Sequence, residues 1–452
     1  MLKPITDQLN HHFPRLFENE LFRRVIKNSG YLFSATGVSA VMSIFQSILA
    51  ARLLGVTEFG ILGTITMFTS VINKFASFRM SELVIKYVGE YMEAGDKRRA
   101  AAVFKSAGLV EMATSIFAFA LILVLAPLGA RYFAKDITTT NWFVIYSLIV
   151  LANLMAESAT GLLQIFDSFR PIAAVTIGQS VLTLVLIALA YVSGGGLLEV
   201  ILAYMAGKIA GALGLTILAL WEATRRWGRG WWSTPVGLLR ERMGELTRFA
   251  VSTNISATIN LVNKDSELLW VSALRSPTEA GYYKLALGVA NIVQMPVSPL
   301  PQATYPELSR EVARSNWRNF RYVLRQGSLM AFAYSLAAGL FLLFFGRALI
   351  RYVYTPEFLP AFPALIILLA GFLVANTFYW NRTSLLALGL PSYPTKVNLL
   401  AAVLKVIGIL TLVPIFGYLG SAALLAGFYF LSITLNVRKT INVLKREEST
   451  SS

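Results

Sequence analysis

Apolar residues run through most of this chain in blocks of about twenty, the length of helix that crosses a bilayer, separated by short polar turns. The pattern predicts about twelve spans, near residues 30–51, 58–78, 106–126, 141–163, 172–193, 197–221, 247–272, 281–303, 326–346, 361–385, 394–413 and 417–436. Residues 1–28 read differently: Leu16, Phe17, Leu21, Phe22, Val25 and Ile26 alternate with Arg23, Arg24 and Lys27, as in a helix lying at a membrane surface. The first apolar run is too long and too far along the chain to be the core of a signal peptide.

The seventh block, residues 249–274, breaks the apolar rule. At 100° per residue Ser252, Ser256, Asn260, Asn263 and Glu267 fall within about 40° of one line, with Lys264 about 80° to one side. Scattered polar residues in a span commonly bond to neighbouring helices, but a whole polar stripe at membrane depth predicts a face on a water-filled cavity.

The two halves of the chain repeat each other. Leu53-Leu54-Gly55-Val56-Thr57-Glu58-Phe59-Gly60 returns as Leu274-Arg275-Ser276-Pro277-Thr278-Glu279-Ala280-Gly281, an offset of about 221 residues. The same offset lays Ser39, Ser43 and Gln46 of span one on Asn260, Lys264 and Glu267 of span seven. It also lays Ser70, Asn73 and Ser77 of span two on Asn291, Gln294 and Ser298 of span eight. Six spans per repeat is an even number, so both halves insert in the same sense. The expected architecture is an all-α polytopic membrane protein, with two six-helix lobes related by a parallel internal repeat around a central cavity. Its parts are an amphipathic arm at 1–28, lobes at 29–221 and 247–436, a basic linker at 222–246 and a tail at 437–452. Spans one, two, seven and eight turn their polar faces to the cavity, among them Ser43, Asn73, Asn260 and Asn291.

Composition narrows the chemistry. The chain is 56% hydrophobic and 14% charged, with no cysteine and two histidines, His11 and His12, both in the arm. A thiol nucleophile, or a zinc or Ser-His site inside the membrane, is therefore excluded, and no cofactor is implied. The net charge of +16 sits between apolar segments, where it indicates topology and contact with anionic lipid rather than nucleic acid. With the N-terminus inside, roughly 28 of the 40 Lys and Arg fall on the inner side and about 6 on the outer, which predicts a multi-pass plasma-membrane protein with both termini cytoplasmic.

Cations at membrane depth suggest what enters the cavity. Lys264 and Lys284 lie roughly 6 and 10 Å outward of the midplane, and Lys74 and Arg382 roughly 9 to 12 Å inward. Such a lumen favours an anionic, phosphate-bearing substrate, although Lys74 and Arg382 could also snorkel to headgroups. Lys264 could instead pair with Glu267 one turn away. Among the few acids, Glu267 lies on the stripe and is the candidate for ion coupling, while Lys208 and Lys405 have no evident role. Pro296, Pro299 and Pro301 should bend span eight.

Three segments carry a likeness to a known family: Asn28-Ser29-Gly30-Tyr31-Leu32-Phe33, Ala51-Arg52-Leu53-Leu54-Gly55 through Glu58-Phe59-Gly60, and Glu90-Tyr91-Met92-Glu93-Ala94-Gly95-Asp96. In these the chain resembles the O-antigen-type polysaccharide-biosynthesis flippases of the multidrug/oligosaccharidyl-lipid/polysaccharide exporter superfamily. The resemblance implies translocation of a polyprenyl-diphosphate-linked sugar or oligosaccharide from the inner to the outer leaflet, by rocking of two lobes, with membrane lipids and glycan-assembly proteins as partners. A cation-coupled exporter of small amphiphiles is the alternative. Against it, drug extruders of the superfamily typically carry an acid in the first half, often on the first helix, where span one here has only Ser, Thr and Gln. A membrane glycan polymerase or glycosyltransferase is a third reading, but no Asp-x-Asp motif, membrane His or long outer loop supports it.

Overall fold

The fold is taken from a computed structural model, which describes the backbone of residues 20–264 and 266–451 and the side chains of residues 34–254 and 266–447. Residues 1–19 of the predicted arm lie outside the described residues.

Every described element is helical, the solution a lipid solvent imposes because each backbone N–H must find its acceptor within its own segment. Eight stretches are long and apolar enough to cross a membrane. Two of these each hold a pair of spans. Glu20–Ala76 turns at Gly55 (φ 67°) and Ser392–Ser451 at Gly417 (φ 59°), backbone conformations that a side chain would strain. Spans seven and eight bring the total to twelve among the described residues. Both are interrupted: Met243–Lys264 gives way to Glu267–Leu274, and Pro277–Gln294 to Leu300–Ala313. The break in span eight runs over residues 295–299, where Pro296 and Pro299 each remove a backbone donor, as the sequence predicts. The break in span seven has no proline behind it.

Contacts sort the chain into two compact units. One holds the described residues up to Ala50 with Ile72–Val124 and Val144–Ser256; the other holds Ala51–Val71, Leu125–Phe143 and the chain from Ala257 onward. The second unit thus takes in short pieces of the first half of the sequence, and there the repeat becomes visible as contact. Thr57 Oγ1 and Thr278 Oγ1 share a hydrogen bond of 2.9 Å across 221 residues. A Cβ on Gly60 would sit 1.9 Å from the Pro277 carbonyl oxygen, and one on Gly281 2.2 Å from that of Val56. Residues one repeat apart can touch only beside the axis that relates the repeats, so the starts of spans two and eight cross there, backbone on backbone.

Two reciprocal contacts reinforce this. A π-helical turn ends span three at Ala130–Ala134 and another ends span nine at Ile350–Tyr354. The Phe133 carbonyl accepts from Ser272 Oγ at the end of span seven (2.6 Å), and the Tyr354 carbonyl, 221 residues on, accepts from Arg52 Nε at the end of span one (3.0 Å). The first helix of each half therefore caps the third helix of the other.

Within the first unit the predicted linker folds onto the helices around it. Trp231 is buried against Phe104 and Trp227, with ring centroids 5.5 and 6.0 Å away, and Leu239 is fully buried. Arg242 bridges Glu90 (2.6 Å) and Glu245 (2.9 Å), and Asp96 of the Glu90–Asp96 segment caps span three by accepting from the Arg99 N–H.

Candidate functional site

The polar faces are partly consumed by helix packing. In the first unit Gln46, 5% exposed, donates through Nε2 to the Ser180 carbonyl of span five (2.9 Å), and Ser39 Oγ reaches the Thr176 carbonyl (3.4 Å). Part of the span-one stripe is therefore interhelical glue. Ser43, between them, stays exposed, its hydroxyl bonded back to the Ser39 carbonyl. On span two, Asn73 and Lys74 are half-buried, and Asn73 Oδ1 is buried without a hydrogen-bond partner among the described residues. A buried acceptor left open in this way is a place where a polar ligand group or water gains a bond.

In the second unit Lys284 occupies the crossing itself. Its repeat partner is Gly63, and the absence of a side chain there makes room for it: a Cβ on Gly63 would lie 2.6 Å from Lys284 Cδ. The ammonium donates to the Phe59 carbonyl (3.1 Å) and stands 3.8 Å over the Phe59 ring. Among the described residues no carboxylate pairs with it. That the Lys284 stem lies across this glycine follows from the close approach of the two helices and not from any local sequence signal.

Asn291 is exposed on span eight and Arg382 is exposed on the short helix Asn381–Ala387 of span ten. The side chains of Asn260 and Lys264 lie outside the described residues, although the helix that carries them is described.

Glu267 opens the second half of the broken seventh span and is 1% exposed. Its carboxylate forms an ion pair with Lys405 of span eleven, itself 4% exposed. The expectation that Glu267 faces open water changes accordingly, since an ion can bind it only in competition with Lys405. The pairing with span eleven was not legible in sequence, because helical periodicity reports a face and not the neighbour that meets it. The repeat equivalent of Glu267 is Gln46, which also reaches across to its neighbouring helix, so the second half keeps as an ion pair what the first half makes with neutral groups.

A further buried acid, Glu111 (2% exposed), accepts from the backbone N–H of Glu157 and of Ser158 (2.9 Å each) and from the Ser158 hydroxyl (2.5 Å). It caps the helix Ala156–Ile165 after a break in span four. Lys208, exposed, holds its ammonium 5.9 Å from the Tyr146 ring.

Comparison with known proteins places this geometry. The family model described as polysaccharide biosynthesis protein matches residues 25–312. The inner membrane protein YghQ of Escherichia coli is 21% identical over 346 residues, covering 76% of this chain and 97% of that protein. Among solved structures, an inward-facing multidrug resistance MATE family transporter of the MOP superfamily superposes with a TM-score of 0.75 at 13% identity, covering 92% of this chain and 96% of that one. The lipid II flippase MurJ in its inward closed conformation gives 0.69 at 14% identity, covering 90% and 87%. At these identities the structural likeness defines a fold, that of MOP superfamily transporters. With its model matched over well more than half of the residues, the chain belongs to the polysaccharide biosynthesis protein family.

Proposed function

We propose that this protein flips a polyprenyl-diphosphate-linked sugar or oligosaccharide from the inner to the outer leaflet, for cell-surface polysaccharide synthesis. The observation that carries the reading is Lys284, a cation at the crossing of the two repeats whose only described partners are a carbonyl and a ring. A diphosphate drawn into the membrane needs compensating cations, because an uncompensated charge there costs about 3 kcal/mol or more. Lys284 supplies one; Lys264, Lys74 and Arg382 are its proposed companions, with Ser43, Asn73, Asn260 and Asn291 hydrogen-bonding the sugars.

The crossing supplies the gate. Thr57, Gly60, Thr278 and Gly281 lie against one another there, and the distribution of basic residues supports an outward position for this gate with both termini cytoplasmic. Alternating access then requires that these contacts part while the ends of the spans on the other side approach. The likeness to a lipid II flippase supports the substrate class; the likeness to a multidrug transporter supports the alternative, a cation-coupled exporter of small amphiphiles. The engagement of Glu267 by Lys405 favours the first, since it leaves the stripe without an acid open to a coupling cation.

Reconstitution separates them. Proteoliposomes carrying a fluorescent polyprenyl-diphosphate sugar should show protein-dependent exposure of the probe to a membrane-impermeant quencher, and Lys284→Ala should slow it at least about tenfold, with Lys284→Arg retaining part. Efflux of cationic dyes without movement of the lipid-linked sugar supports the exporter instead.

A further inference from the structure

The first unit holds a cavity of about 280 Å³ that the transport reading does not use, where the linker meets the start of span three. Lys97 and Arg98, from the first turn of Lys97–Gly129, form its exposed rim; Trp227, Trp231, Ser233 and Thr234 line it. Among the described residues neither cation has an ion-pair or hydrogen-bond partner for its side chain. The acid beside them, Asp96, is engaged by Arg99, through the backbone N–H at 2.9 Å and through Nε at 3.6 Å.

Thr234 is the buried part of the site. It is 9% exposed, its N–H donates to the Trp231 carbonyl (3.2 Å), and its carbonyl accepts from Lys105 Nζ (3.2 Å). The backbone is thus fixed, while the hydroxyl has no hydrogen-bond partner among the described residues. A buried hydroxyl in this state gains a bond from a ligand that fills the cavity. The indole N–H groups of the walls are already spent, that of Trp231 on Thr224 Oγ1 (3.1 Å) and that of Trp227 on Met92 Sδ (3.3 Å). Two cations and two hydroxyls around one small space call for a negative group with several acceptor oxygens, and a phosphate offers three where a carboxylate offers two. The volume equals that of about nine waters, room for a phosphate and a body the size of glycerol but not for an acyl chain. Depth adds the source. Lys105 holds its ammonium 5.8 Å from the ring of the exposed Trp232, an interfacial arrangement. Arg98 and Lys97 lie about 10 to 12 Å back along the helix from Lys105, more than the 5 to 8 Å or so of a headgroup layer, so the rim faces water.

We propose that this cavity binds a small phosphate ester from the aqueous phase on the linker side of the membrane, its phosphate held by Lys97, Arg98 and the Ser233 and Thr234 hydroxyls and its body against Trp227 and Pro235. The site stands independently of the substrate that the transporter moves. The bound ester ties residues 233–235 of the linker to the start of span three, and so makes the order of the segment that joins the two halves of the sequence depend on a soluble phosphate compound.

Equilibrium binding of radiolabelled glycerol 3-phosphate to the purified full-length protein tests this. Wild type should bind it saturably. A hydrogen bond to a charged group is worth about tenfold or more in affinity and one from a neutral hydroxyl about fivefold, so K97Q/R98Q should weaken binding at least about tenfold and T234V about fivefold. R229Q, which removes a cation of the same linker outside the cavity, should leave binding nearly unchanged. T234V keeps every charge, so a diffuse attraction to the basic surface would not register it. Native mass spectrometry with phosphatidylglycerol supplies the lipid arm, and wild type, K97Q/R98Q and T234V should retain that lipid equally. No saturable binding of glycerol 3-phosphate by wild type, or a loss in R229Q as large as in K97Q/R98Q with T234V unaffected, overturns the proposal. So does loss of retained phosphatidylglycerol in K97Q/R98Q and T234V, which would make the cavity a headgroup site.

Discussion

Lys405→Met should be among the most damaging single substitutions in the molecule, although Lys405 has no place in a sequence-based reading. The Lys405 and Glu267 side chains are 3% and 2% exposed, so solvent does not screen their interaction as it would at a surface. Removing one partner leaves a buried, uncompensated charge, a loss of about 3 to 5 kcal/mol, whereas replacing both with uncharged residues of similar size is often close to neutral. A double-mutant cycle with Glu267→Gln should therefore return a coupling of about 3 kcal/mol, more than a hundredfold in the folding equilibrium. The assay is denaturant unfolding of the detergent-purified protein, followed by tryptophan fluorescence, for wild type, both single variants and the pair. A cost below about 1 kcal/mol for Lys405→Met, or a double variant whose loss equals the sum of the singles, would refute the reasoning.

Other consequences are smaller or more local. Glu111→Ala should destabilise the protein by about 2 kcal/mol or more, because it strands the N–H groups of Glu157 and Ser158 in the membrane; the same unfolding assay reads it. Hydrogen bonds from Arg242, then Tyr87, hold the Glu245 carboxyl below its ordinary value of 4.5. Its contribution to stability is thus present above pH 4.5 and lost as pH falls through the depressed value, so Glu245→Gln should lower stability at neutral pH, converge with wild type in acid and so flatten the acid side of the stability profile. Single cysteines at Lys97 and Arg229, introduced into this cysteine-free chain, should resist an impermeant thiol reagent in intact cells and react after lysis. Labelling from outside would invert the orientation.

Much of the architecture is legible in sequence because lipid leaves the chain few choices. The apolar blocks predict the twelve spans, the prolines predict the break in span eight, and the recurrence of Thr57-Glu58 as Thr278-Glu279 predicts a repeat that the structure turns into the Thr57–Thr278 hydrogen bond. What escaped concerns partners. Periodicity placed Gln46 and Glu267 on polar faces, yet both are held by a neighbouring helix, Gln46 at the Ser180 carbonyl and Glu267 at Lys405, contacts that join residues 134 and 138 positions apart. Nothing local marks such a pairing. The break in span seven, without proline, is equally silent. Lys284 was legible as a cation at depth, but its seat on Gly63 and Phe59 follows from how closely the repeats cross.

In the proposed flipping cycle the crossing of Thr57 and Thr278 must open for a lipid-linked sugar to leave. Cysteines placed at these two positions should form a disulfide under mild oxidation, since the native hydroxyl oxygens lie 2.9 Å apart. In proteoliposomes, oxidation of the Thr57→Cys/Thr278→Cys protein should stop transfer of the fluorescent polyprenyl-diphosphate sugar, reductant should restore it, and each single-cysteine protein should flip throughout. Efficient cross-linking with transfer unchanged would contradict the account, because the lipid would then cross while the proposed gate stayed shut.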